Sequence, residues 1–452
     1  MAGSELFVIP HQPSSHFVAA AAGNEAAGWD QRLLESWLFW GILFGTLVGT
    51  YGALHLIYRI DNIDDPWSMS YMHNFICHGI ETDKTFGVSV GMAGTQFFGK
   101  LQAWLYAAFF SVFGWTRSNG HWVSAGLGAV ALLIWYRILR EWGLTRHIAL
   151  ATCFLLALFE PFFGAANQIR IDMLVFTLAA AALLAAMRRY WLIAGLLSAA
   201  ALECHPMGLL APLHVALAFS LRSPAGAERY RAIGLSLLGL GIGAAGYFLL
   251  HNPDFAGLLH TLIHTPRAVS RNGIPNFLWE YFFQTKYYRH VPELLLTIVA
   301  ATVLWRRRKE SPNAITALSL LAFYLMFALI SPRANFHYMV FVMPAFVLAW
   351  TVAADSFGRL ALLTAGLAIW MLAQYGILWT MHHGREPERE FGHLRAAIPD
   401  DGRAIVGPPM LYFAFLDRAY YTNEAGIRYE QNAQESYWRI PEGAGRPVLV
   451  ER

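Results

Sequence analysis

Residues 59–100 read RIDNIDDPWSMSYMHNFICHGIETDKTFGVSVGMAGTQFFGK and follow directly on an apolar run, Ser36 to Tyr58, that is long enough to cross a bilayer. Asp61, Asp64 and Asp65 crowd against the end of that run. Carboxylates beside a membrane helix are costly unless they are paired, wetted or used. The acids therefore mark either the cap of a following helix or chemistry at a membrane surface. Asp64 or Asp65 before Pro66 is a favoured order for a helix N-terminus, and a capping role leaves catalysis open.

The surrounding chain supports a membrane setting. Its 452 residues are 56% hydrophobic, 15% aromatic and 14% charged, with a mean hydropathy of +0.40, outside the range of soluble domains. A chain of this kind is an all-α polytopic membrane protein, because helices satisfy their own backbone in lipid. The formal net charge is +3 and the basic residues sit in short clusters between apolar runs, which argues against a nucleic-acid partner. Cys77, Cys153 and Cys204 have neither metal-ligand spacing nor the density of a disulfide framework, and read as free thiols. Residues 1–35 hold no Lys and a single Arg, Arg32. They lack the basic start of a signal peptide and read as a loosely ordered cytoplasmic tail.

Further apolar runs fall at 97–115, 119–139, 147–165, 171–187, 190–204, 207–221, 232–251, 292–306, 313–330, 336–354 and 358–381. Basic residues favour the cytoplasmic side of short loops, and here they alternate. Arg137, Arg140 and Arg146 mark one inner loop, Arg188 and Arg189 the next, Arg222, Arg229 and Arg231 a third, and Arg306 to Lys309 a fourth. With 36–58 running outward and 119–139 running inward, 97–115 is not a full crossing. It reads as an outer interfacial helix, leaving about eleven spans. The rival reading keeps 97–115 as a span and moves the N-terminus outside. In the preferred reading 36–381 is the membrane domain, 59–118 its first outer loop, and 382–452 a small extracytoplasmic α/β domain. Within that last part RAIVGPP reads as a short strand ended by prolines.

The parity argument gathers charged groups on one side. Besides the aspartates these are Lys100, Arg170 and Asp172, Glu203 and His205, and Arg333 and His337. A carboxylate beside a substrate hydroxyl removes its proton as the oxygen attacks. Arg, Lys and His hold a phosphate leaving group through charge-assisted hydrogen bonds. Each basic residue taken alone reads first as a snorkelling or headgroup-facing side chain, and Arg170 has Asp172 as a near partner. For metal binding, His73, His78, His260, His264 and His337 are available with the aspartates. No HxxxH or HExxH arrangement with an acid accompanies them, so no metal is assigned. A bound cation, if used, would be a hard one such as magnesium or manganese.

These residues resemble, in order and spacing, the GT-C superfamily of integral-membrane glycosyltransferases, in the branch of protein O-mannosyltransferases and lipid A aminoarabinose transferases. The family's acidic pair after helix one matches Asp64-Asp65, and its loop lysine matches Lys100. Its Arg-x-Asp element matches Arg170-Ile171-Asp172, its Lys/His-x-Pro-x-Gly-Leu element matches His205 to Leu209, and its late Tyr-to-Pro element matches Tyr338 to Pro344. The pair is Asp-Asp where relatives carry Asp-Glu, Lys100 is followed by Leu-Gln, and Gly99 stands where some relatives place an acid. The resemblance covers roughly 36–355 and implies the GT-C fold and an inverting transfer. A polyprenyl-phosphate sugar would be the donor and a lipid, glycan or protein hydroxyl the acceptor. Asp64 or Asp65 would be the base, with Asp64 favoured by position. Lys100, Arg170, Asp172, His205, Arg333, His337 and Tyr338 would bind substrate. The expected setting is the inner membrane, with the site facing the periplasm or exterior. A transporter or flippase of lipid-linked sugars is the alternative, and would need ionisable groups deep in the spans.

Overall fold

A computed structural model describes residues 25–58, 64–79, 85, 100–222, 226–251, 277–284, 290–330, 336–441 and 447–451. The described chain is overwhelmingly helical. It opens with α1 (Glu25–Glu35), α2 (Trp37–Leu54), α3 (Asp64–His78), α4 (Lys100–Phe113), α5 (Arg117–Glu141), α6 (Arg146–Leu158) and α7 (Glu160–Ala166). Then come α8 (Asp172–Met187), α9 (Trp191–Cys204), α10 (Leu210–Arg222) and α11 (Gly226–His251). After a turn at 277–284 follow α12 (Val291–Arg307), α13 (Pro312–Ile330), α14 (Met343–Asp355) and α15 (Leu360–His382).

Among the described residues five helices are long and apolar enough to cross a membrane, or six if the bent pair α6–α7 is one span. The other expected runs fold as shorter apolar helices, among them α8, α9 and α14. The chain is a multi-pass membrane protein. Hydroxyl caps start several helices where the sequence supplies them: Thr116 accepts from the Asn119 N–H at the head of α5, and Thr145 from the Ile148 N–H at the head of α6. These bonds satisfy donors that a helix N-terminus leaves unpaired. Gly114, at φ +88°, ends α4 in a left-handed conformation that a side chain would resist, so the chain can turn into α5.

α8 lies at the centre, buried on nearly every side and packed by α5, α9 and α10. α9 and α11 meet backbone to backbone. A Cβ on Gly195 would stand 2.1 Å from the Ser236 carbonyl oxygen, and one on Gly239 would stand 2.2 Å from that of Leu192. Small residues permit this approach, which gains dispersion where lipid removes the hydrophobic drive between helices.

Three departures from the sequence reading have local causes. The run 147–165 is not one straight helix but α6 and α7, bent by 67°. Pro161 in the first turn of α7 lacks the N–H that would continue α6 and clashes with the preceding turn. The runs 207–221 and 336–354 open on 3-10 turns, Pro206–Leu209 and Phe336–Phe341, before their α-helices begin. Part of the expected loose tail is α1, which packs against α2 and α15. Its Asp30 is 2% exposed, and its carboxylate accepts the Ala361 and Leu362 N–H groups at 3.2 Å each. An anion at the N-terminus of α15 is favoured there by unpaired donors and the helix dipole.

The C-terminal part folds as α16 (Pro387–Ala397), β1 (Ile405–Val406), β2 (Tyr420–Tyr421), α17 (Asn423–Asn432), β3 (Tyr437–Arg439) and β4 (Val448–Val450). The strand order is β2-β1-β3-β4, with β1 parallel to β2 and β3, and β4 antiparallel to β3. Ile405 stands opposite both Tyr420 and Trp438. The run 97–115 contains α4, whose 14 residues span about 21 Å at 1.5 Å each, short of a roughly 30 Å hydrocarbon core. Its Ala103, Tyr106 and Phe110 share one apolar cluster with Met69 and Met72 of α3 and with Ile405, Tyr412 and Phe415 of the C-terminal part. α3, α4 and the C-terminal part thus form one layer against one end of the bundle.

Candidate active site

The first turn of α3 holds Asp64, Asp65 and Pro66. Neighbouring residues on a helix point roughly 100° apart, and the two carboxylates part company. Asp65 is fully buried at 0% exposure, whereas the Asp64 side chain is 20% exposed.

Asp64 meets Arg170, whose Nη1 donates to Asp64 Oδ2. The same guanidinium donates from Nε to Asp172 Oδ2 at 2.5 Å. Arg170 lies between α7 and α8, and Asp172 opens α8, so the Arg-x-Asp spacing delivers one cation to two acids. A planar guanidinium bridges carboxylates in this way, as an ammonium does not. His337 Nε2 lies 3.9 Å from Asp64 Oδ2. Its neighbour Tyr338 faces Arg170 electrostatically and places its hydroxyl 3.4 Å from His205 Nε2. His205 Nδ1 in turn accepts the Met207 N–H at 3.1 Å, which starts the 3-10 turn after α9. Asp64, Arg170, Asp172, His205, His337 and Tyr338 therefore converge from four separate parts of the chain. Asp172 is 1% exposed and its Oδ1 has no hydrogen-bond partner among the described residues.

Lys100, the first residue of α4, is 3% exposed. Its backbone N–H donates to Glu203 Oε1 at 3.1 Å, and its Nζ lies 5.3 Å from the centre of the Phe75 ring, a cation–π approach. Its backbone thus meets Glu203 in the last turn of α9, two residues before His205. Arg333, Asp61, His260 and His264 lie outside the described residues. Among the described residues no three His, Cys, Asp or Glu side chains converge as metal ligands. His73 instead faces Asp417 at 3.5 Å and the ring of His78 at 5.4 Å.

Asp65 is surrounded by donors. It accepts from Arg117 Nε at 3.2 Å, His121 Nε2 at 2.7 Å and the Ile169 N–H at 2.8 Å. Burial alone would raise its pKa, but the opposing pull of His121, Arg117 and the Ile169 N–H leaves it below the ordinary carboxylate value. Arg117 also donates to the carbonyls of Leu56 and Tyr58 at 2.6 and 2.9 Å, and His121 Nδ1 bonds the His55 carbonyl at 2.9 Å. One buried carboxylate so ties the end of α2, the start of α5 and the segment bearing Arg170 to the start of α3. Sequence reasoning missed Arg117 and His121. They lie 52 and 56 positions from Asp65, and His121 falls inside a run read as membrane helix. The available signal was an arginine and a histidine in the opening turns of an apolar helix, where unpaired charge is costly.

No protein-family model matches the chain, and no curated protein matches it. Solved structures do. The crystal structure of ArnT from Cupriavidus metallidurans bound to undecaprenyl phosphate superposes with a TM-score of 0.61 at 13% identity, covering 94% of this chain and 98% of that one. ArnT from Cupriavidus metallidurans in the apo state gives 0.53 at 15% identity, covering 91% and 89%. At such identity the likeness carries the fold, and it extends over the bundle, the α3–α4 layer and the C-terminal part together. The chain has the GT-C fold of those structures.

Proposed function

We propose that the protein is an inverting glycosyltransferase that moves a sugar from a polyprenyl-phosphate donor to an acceptor hydroxyl on the extracytoplasmic side of the membrane. The observation that carries this reading is the chain Asp64–Arg170–Asp172 with His337 beside it: a reachable carboxylate held against a guanidinium at the mouth of an apolar bundle. The fold likeness to ArnT bound to undecaprenyl phosphate supports a lipid-phosphate donor.

Asp64 is the base. Its partial exposure lets an acceptor hydroxyl reach it, whereas Asp65 has its oxygens occupied by Arg117, His121 and the Ile169 N–H. In the resting protein Arg170 occupies Asp64. The donor phosphate competes for that guanidinium, and its capture leaves the Asp64 carboxylate available to the hydroxyl. Asp64 takes the acceptor proton, the acceptor oxygen attacks the anomeric carbon, and the carbon–oxygen bond to phosphate breaks with its electron pair on the leaving oxygen. Arg170 stabilises the charge that grows there, and Lys100 and His205 are the further basic groups assigned to the donor phosphate. Asp172 keeps Arg170 aimed and offers Oδ1 to a substrate hydroxyl. Exposed apolar side chains on the flanking helices hold the lipid tail.

The test is purified protein in nanodiscs with a panel of polyprenyl-phosphate sugars, followed by release of lipid phosphate with and without candidate acceptors. Asp64→Asn is expected to reduce release by about 10²- to 10⁴-fold, the range for loss of a general base. Wild-type turnover in that variant would overturn the assignment.

A further inference from the structure

A cavity of about 380 Å³ lies between the C-terminal part and the layer formed by α3 and the α4–α5 junction. Trp115 and Phe391 give it aromatic surface, and His73, Glu388, Arg395 and Asp417 give it charge. It is set apart from the candidate active site. His73 is nine residues beyond Asp64 on α3, about 13.5 Å along the axis and half a turn around it. Its size falls in the range of small-molecule pockets.

The lining selects a ligand class. Two carboxylates stand against one guanidinium and one imidazole, so an anion such as a phosphate gains no net attraction. Glu388, Arg395 and Asp417 are exposed at its rim and only His73 is buried, so the opening is charged and wet and disfavours an apolar ligand, which could not replace the water on those groups. A hydroxyl-rich ring fits both features. Its hydroxyls pair with carboxylate and guanidinium edges, while its C–H face lies on aromatic surface. His73, 2% exposed, has its Nδ1 buried without a partner among the described residues. Two contacts tie the walls of the cavity to each other. The Ser118 N–H donates to Glu388 Oε1 at 3.2 Å, and His73 Nε2 faces Asp417 Oδ1 at 3.5 Å.

We propose that this cavity is a saccharide subsite that holds a part of the acceptor remote from the hydroxyl that reacts. The proposal rests on the transferase reading and narrows the acceptor to an extended glycan-bearing molecule, since a single sugar cannot occupy the cavity and reach Asp64 together.

Gly392 supplies a clean perturbation. It lines the cavity, and a Cβ added there meets nothing within 4 Å. Gly392→Leu therefore adds bulk at the lining without a clash and improves the helix propensity of α16, and thermal unfolding of the variant, expected to match wild type, separates loss of binding from loss of fold. Full-length protein in detergent is tested by saturation-transfer NMR against a panel of purified oligosaccharides, with Arg395→Ala and Asp417→Asn alongside. At least one oligosaccharide is expected to bind wild type, to weaken tenfold or more in the two charge variants, and to be lost in Gly392→Leu. In the transfer assay Gly392→Leu should raise KM for a glycan acceptor carrying that oligosaccharide and leave kcat and the KM for donor unchanged. No binding to wild type, or equal binding to Gly392→Leu, overturns the subsite. Binding lost in Gly392→Leu with no change in acceptor KM overturns the acceptor assignment. Saccharide binding lost in the Gly392→Leu variant of a protein that releases no lipid phosphate from any donor keeps the subsite and refutes the transferase reading instead.

Discussion

Replacing Asp65 tests the division of labour between the two adjacent aspartates. Asp65→Ala removes the carboxylate that accepts from Arg117, His121 and the Ile169 N–H, and leaves the Arg117 side chain, 1% exposed, without its counter-ion. Breaking a buried pair from one side costs about 3–5 kcal/mol, because the remaining charge stays desolvated. Two carbonyls still hold Arg117, which places the expected loss at the lower end, about 3 kcal/mol. Asp64→Asn removes a carboxylate that is 20% exposed, and its stability effect should stay within about 1 kcal/mol while transfer collapses. The two changes are compared by thermal and denaturant unfolding in one detergent, followed through tryptophan fluorescence, alongside lipid-phosphate release. Asp65→Ala with wild-type unfolding, or Asp64→Asn with an equal loss of stability, would refute the reasoning. The sign with pH follows. The folded pKa of Asp65 is depressed, so its contribution is complete above the unfolded value of about 3.9 and disappears as pH falls below it through the folded value. Between neutral pH and about 5 the wild type should lose nothing through this group, and Asp65→Asn should lack the acid-side decline.

Arg170→Lys keeps the charge but cannot bridge Asp64 and Asp172 together. Losing one hydrogen bond to a charged group is worth about 1.5–3 kcal/mol, so kcat/KM should fall about ten- to a hundredfold, and unchanged kinetics would remove Arg170 from the site. Gly208→Ala places a Cβ 2.0 Å from the Ala201 carbonyl oxygen. It should cost at least about 1–3 kcal/mol and displace His205, whereas Gly241→Ala, which meets nothing within 4 Å, should be neutral in the same unfolding assay. Burial chiefly, and His78 beside it, hold the His73 pKa below its ordinary value against the pull of Asp417. Stability from a neutral buried His73 is complete above about pH 6.5 and declines as pH falls below it. His73→Gln should flatten the unfolding profile on that side, and an unchanged slope would show that His73 does not contribute.

Much of the architecture was legible from local pattern. Apolar runs located the bundle helices, and RAIVGPP located β1, because hydropathy and turn chemistry act over neighbouring residues. Where a prolyl residue interrupts such a run, as Pro161 does between α6 and α7, the run length alone overstates the straightness of the helix. The N-terminal helix was missed because its anchoring depends on Asp30 reaching the head of α15, 331 positions away.

The same boundary divides the site. The sequence by itself determined that this is a membrane protein, that acids open a helix after the first span, and that an Arg-x-Asp element and a His-Pro-Met-Gly-Leu element recur later in the order of a GT-C chain. By position it favoured Asp64 over Asp65 without settling the choice, since adjacent carboxylates have the same intrinsic chemistry. Tertiary structure alone gave the two their different surroundings, by bringing Arg117, His121 and the Ile169 N–H around Asp65 and leaving Asp64 to Arg170 and His337. The physical reason is that solvation and charge pairing depend on what packs around a group from distant parts of the chain, and no local pattern records that.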